Sequence, residues 1–100
     1  MSKFGDLISG ELPVLLHFYI EGNAISLRMH PIMKEVANHF GDKVRVIEIN
    51  VKSNREIVHA MQIASLPDFA IYKNGEMLWR VQGGQTANAL KNAVAEYITA

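Results

Sequence analysis

The stretch SLPDFAIYKNGEMLWRVQGG runs from Ser65 to Gly84. Within it, Phe69 to Lys73 and Met77 to Gln82 are two runs rich in apolar, β-branched and aromatic residues, and they flank Asn74-Gly75. Asn-Gly tolerates positive φ at both central positions of a type I′ turn, the geometry that matches the twist of paired strands. The stretch therefore predicts a tight antiparallel hairpin. Pro67 stands just before its first strand and Gly83-Gly84 breaks the chain after its second. Met77, Trp79 and Val81 alternate, so they are expected on one face, with Trp79 packing on the sheet.

Working outward, the elements alternate. Upstream, Ser53-Asn54-Arg55-Glu56 reads as a capping box that starts a short helix through about Met61. Val44 to Val51 (VRVIEINV) and Pro13 to Ile20 (PVLLHFYI) read as strands buried on both faces. Between them Ile25, Met29, Ile32, Met33, Val36, Ala37 and Phe40 recur at helical spacing, and Gly41 supplies a stop. Pro31 lies inside that helix and is expected to kink it. Two strands joined by a helix imply a right-handed parallel βαβ unit. Downstream, Leu90, Ala93, Val94, Tyr97 and Ile98 define a closing amphipathic helix, and Phe4 to Ile8 form a short first helix ending near Gly10. The expected architecture is α/β: one domain over residues 1–100, with a mixed sheet covered by helices.

Composition narrows the functional classes. Half the residues are hydrophobic (49%) and 20% are charged, the profile of a folded domain. Ten basic side chains balance ten acidic ones without a run of either sign, so neither nucleic acid nor an anionic membrane is an expected partner. There is no cysteine, which removes disulfides, thiolate metal sites and thiol catalysis. The N-terminal MSKFGDLISGELPVLL lacks the long apolar core of a secretory signal, and no apolar stretch approaches bilayer length. A cytoplasmic location is the expectation.

The segments VLLHFYIEG, HPIMKEVANHF, VRVIEINV, SLPDFAIYKNGE and VQGG, in this order and spacing, resemble the thioredoxin family from about Pro13 onward. The resemblance implies the thioredoxin fold. The residues before Pro13 leave little room for the family's extra first strand, so a trimmed version with a four-stranded mixed sheet is expected. Where the family carries Trp-Cys-Gly-Pro-Cys, this chain has Gly22-Asn23-Ala24-Ile25-Ser26. Asn23 stands in place of the attacking cysteine and Ser26 in place of the resolving one. Thiol–disulfide exchange needs a thiolate to attack sulfur and a second thiol to release the mixed disulfide. Neither an amide nor a hydroxyl substitutes, so dithiol oxidoreductase activity is not expected.

The resemblance also implies roles for the residues that remain. Pro67 matches the family's cis-proline, and the residue before it, Leu66, matches the one whose backbone meets an extended peptide. With Gly22, Ala24, Ile25 and Gly83, these form a candidate uncharged patch for a protein or peptide partner. The competing reading is an inherited bend with no partner. Asn23 has a purely structural role available as a helix N-cap. His17 lies where the family often carries a buried acid. A Ser26–His17 nucleophile and base is the distant enzymatic reading, because no carboxylate is evident in the sequence to orient His17. His30, His39 and His59 form no i, i+4 pair and no His-Glu cluster, so neither a metal site nor a cofactor is expected. Met29, Met33 and Met61 read as core. The functional expectation is a redox-inactive binding or chaperone-like module. The alternative is a structural component of an assembly, with a homodimer among the options.

Overall fold

The computed structural model describes residues 3–98. The element order is α1 (Lys3–Ile8), β1 (Val14–Tyr19), α2 (Ala24–Phe40), β2 (Arg45–Asn50), α3 (Arg55–Met61), β3 (Asp68–Lys73), β4 (Glu76–Gln82) and α4 (Ala87–Ala95). The strands form one four-stranded sheet in the order β2-β1-β3-β4. β1 and β2 are parallel, whereas β1/β3 and β3/β4 are antiparallel. This is the thioredoxin-like α/β fold with the four-stranded mixed sheet expected from the sequence. α1 leads directly to β1, and the turn between them is pinned to the hairpin: Asn74 N–H donates to the Gly10 carbonyl at 2.8 Å and Gly75 N–H to that of Ile8 at 3.1 Å.

Strand alternation divides the core in two. Val14, Leu16, Phe18, Ala70 and Tyr72 face one side of the sheet, with Ile8 of α1 and Met61 of α3 in the same cluster. Leu15, Phe69 and Ile71 face the other, against Met29, Met33 and Val36 of α2 and Leu90 and Val94 of α4. Fully burying a side chain of this size contributes roughly 1.5–3 kcal/mol. The central strands β1 and β3 therefore carry most of the adhesive surface. β2 is an edge strand in which only Ile49 is buried, so its apolar run overstated its coverage.

Local chemistry explains several boundaries. Asn74 and Gly75 have φ of 55° and 78°, both positive, as a type I′ turn requires. α2 begins at the Asn23 cap and continues through Pro31 to Phe40. The anticipated capping box does not form. Ser53 belongs to a 3-10 turn, Val51–Ser53, whose Lys52 N–H is taken by the Asn50 side chain; Asn54 then precedes α3 without a side-chain cap. α4 is capped instead by Thr86, which accepts from Ala89 N–H. That helix stops at Ala95, so Tyr97 and Ile98 lie beyond it, although both still pack on the second cluster.

The hairpin also departs from simple alternation. Ile71 pairs with Trp79 but Tyr72 pairs with Met77, a register shift that places an extra residue on β4. Such a bulge reverses the facing of residues on its two sides. Trp79 and Val81 pack on the second cluster, while Met77, on the other side of the shift, is 45% exposed. Met77 and Trp79 do not share a face.

Candidate functional site

At the start of α2, Asn23 acts as the anticipated cap. Its Oδ1 accepts from Ser26 N–H at 2.8 Å, and its carbonyl accepts from Leu27 N–H at 3.1 Å. Ser26 is fully buried, and among the described residues neither its Oγ nor His17 Nε2 has a hydrogen-bond partner. The two atoms therefore do not form the nucleophile–base contact that an enzymatic reading needs.

His17 instead turns its Nδ1 toward β2. The parallel register sets His17 opposite Glu48, and Nδ1 lies 2.9 Å from Glu48 Oε2. His30, on α2, brings its own Nδ1 onto the same carboxylate oxygen. The His17 ring stacks on Phe69 at 4.9 Å, and Tyr19 meets His30 edge-on at 4.7 Å. Burial pushes the His17 pKa below its ordinary 6.5, against the opposing pull of Glu48. This His-Glu cluster corrects the sequence reading, which found neither such a cluster nor a carboxylate beside His17. The residues are far apart in the chain, and only strand register joins two of them. Aligning VLLHFY with RVIEIN would have paired His17 with Glu48.

Two contacts link the residues of the candidate patch. The Leu66–Pro67 peptide is cis, and the Pro67 carbonyl accepts from Gly83 N–H at 2.8 Å. Gly83 has φ of +91°, a conformation that favours glycine. The next residue closes the chain of contacts: a Cβ placed on Gly84 would stand 3.2 Å from Ile25 Cγ2. Gly84, not Gly83, is thus the glycine against Ile25, a contact the sequence did not reveal. Ile25 is 45% exposed, Gly22 and Ala24 beside it are exposed, and Leu66 is half-buried. No hydrogen bond among the described residues involves the Leu66 backbone.

Next to Pro67 lies a second buried group that the sequence reading missed. Asp68, fully buried, accepts from Arg80 Nε at 3.2 Å and Nη2 at 2.6 Å, and from Gln82 Nε2 at 3.4 Å. Arg80 also donates to the Met61 carbonyl at 2.7 Å, and Ser65 Oγ donates to Gln82 Oε1 at 3.1 Å. The bond to Asp68 raises the Arg80 pKa further. This network ties α3, β3 and β4 together around Leu66-Pro67. Among the described residues no helix is long and apolar enough to cross a membrane.

Comparison with known proteins agrees with this geometry. The thioredoxin family model matches residues 1–96. Thioredoxin Y from the chloroplast of Oryza sativa is 38% identical over 90 residues, covering 89% of this chain and 54% of that protein. A thioredoxin-like protein of Synechocystis is 30% identical, covering 89% and 86%. The chain spans about half the length of the chloroplast relatives from Oryza and Arabidopsis thaliana, 54% and 49% respectively. Among solved structures, a mutant thioredoxin from Halobacterium salinarum superposes with a TM-score of 0.89 at 23% identity, covering 100% of this chain and 87% of the other.

Proposed function

The chain belongs to the thioredoxin family, and from that premise we propose that it is a redox-inactive binding module whose surface around Leu66 and Ile25 holds an extended segment of a partner protein without covalent capture. Its 100 residues contain no cysteine, so neither the attacking nor the releasing thiolate of disulfide exchange is present. Insulin reduction by the purified chain is expected to match the enzyme-free control.

The observation that carries the binding reading is the Leu66 backbone, whose N–H and C=O have no partner among the described residues. An extended peptide that pairs with such groups gains main-chain hydrogen bonds, and shallow apolar neighbours supply side-chain contacts. Gly83 and Gly84 keep the adjoining surface low, and Ile25 stands over it. Without a mixed disulfide, affinity is modest and release fast unless the interface extends further.

The test is NMR titration of labelled protein with a partner isolated from the source cell. Shifts should centre on Ile25, Leu66 and Gly83, and Ile25→Asp and Leu66→Asp should each weaken binding in a folded chain. Shifts confined to another face, or binding indifferent to both variants, would remove this reading.

A further inference from the structure

We infer that His17, His30 and Glu48 form a binding site for a divalent transition-metal cation of the zinc type. Each residue comes from a different element, β1, α2 and β2. One ligand-type atom from each lies within 4.8 Å of the other two. Two imidazoles and one carboxylate form a borderline donor set suited to zinc, cobalt, nickel or copper, whereas calcium and magnesium take oxygen ligands. Three protein ligands leave a fourth tetrahedral position for water.

The His17–Glu48 edge needs little adjustment, whereas His30 must draw back from the Glu48 oxygen it now meets. Bonds of about 2.0 Å in a tetrahedral zinc site separate the ligand atoms by roughly 3.3 Å. His17 Nδ1 and Glu48 Oε2 are 2.9 Å apart, so that edge opens by only a few tenths of an ångström. His17 is fully buried and stacked on Phe69, which makes it the fixed ligand. The side chains of His30 and Glu48 are 33% and 30% exposed, so they can move and an ion can reach them. The neutral imidazole is the form that binds metal, through the ring nitrogen that carries no proton. A proton on either Nδ1 shifts to Nε2 or leaves to solvent as the cation takes its place, while the Glu48 carboxylate offsets one of the two positive charges.

The same three groups also make a hydrogen-bonded cluster, and titration separates the two roles. The full chain, free of any affinity tag and stripped with chelator, is titrated at neutral pH with Co²⁺ by visible absorption and with Zn²⁺ by calorimetry. One equivalent should bind in the micromolar range, with the intense d–d bands of tetrahedral cobalt and shifts of the His17 and His30 ring protons. His30→Gln and Glu48→Gln, both at partly exposed positions, should each weaken binding at least about ten-fold. His39→Gln and His59→Gln should leave it unchanged. The inference is overturned by an absence of saturation below about 1 mM. It is equally overturned if His30→Gln or Glu48→Gln leaves binding intact, or if ring shifts appear only at His39 or His59.

Discussion

Asp68 and His17 are both fully buried, and they lie on opposite faces of one sheet. Asp68 shares the face of Ala70 and Tyr72, and His17 that of Leu15. The polar group around Asp68 is closed: both carboxylate oxygens are occupied and the Arg80 fork is further bound to a main-chain carbonyl. The group around His17 is open, because His17 Nε2 and Ser26 Oγ are buried without partners among the described residues. A buried polar group normally has its hydrogen bonds satisfied, and an unsatisfied one calls for an explanation. The closed group suits a structural role. The open one joins β1 to the start of α2, and its remaining polar edge converges on Glu48.

The sharpest way to break this contrast is Asp68→Ala. It removes the buried anion that holds the partly buried Arg80 guanidinium and should cost about 3 kcal/mol in urea-unfolding stability. Replacing both partners, as in Asp68→Leu with Arg80→Met, should recover most of that loss. If the single variant is as stable as the native chain, the closed group is not structural.

Ser26→Ala should act in the opposite direction. It removes an unpartnered buried hydroxyl and improves helix propensity, so stability should rise by about 1–2 kcal/mol in the same assay. A loss of that size would mean that the hydroxyl is satisfied in solution, and that the open group is not open. Asn23→Ala removes the side-chain bond that Asn23 makes to Ser26 N–H at the start of α2. Loss of the cap should cost about 1 kcal/mol, read as a lower melting temperature.

The smallest effect concerns the closed face at high pH. Burial raises the Tyr72 pKa above its ordinary 10.0, and its hydroxyl donates to Met61 Sδ at 3.0 Å. Below pH 10 the phenol is neutral in both folded and unfolded chains and its contribution is fully present. As pH rises past 10 the unfolded chain loses its proton first, so stability declines through the higher folded pKa. Urea midpoints measured upward from pH 9 should show this decline, and Tyr72→Phe should flatten it.

Much of the architecture was legible because it rests on local signals. Asn74-Gly75 specifies its own turn, the helical spacing from Ile25 to Phe40 specifies α2, and Asn23 supplies the cap of that helix. The misread elements are those where two local solutions compete. Ser53 was drawn into a 3-10 turn by the Asn50 side chain. Met77 was moved off the face of Trp79 by a bulge that no residue of β4 announces. Within the candidate site, Leu66, Pro67, Gly83 and Ile25 could be named from the resemblance, but the link through Gly84 could not.

From its residues alone this chain is committed to a hairpin, to a βαβ unit and to life without thiol chemistry. Each follows from backbone preferences, from periodicity, or from the absence of cysteine, which no folding can supply. Tertiary structure decided which distant polar groups meet. His17 reaches Glu48 only through the register of β1 and β2, and His30 joins them only because α2 crosses that edge. Asp68 finds Arg80 only across the β3–β4 pair. Side-chain chemistry is written in the sequence, but the distances at which it operates arise from packing two apolar faces against one sheet.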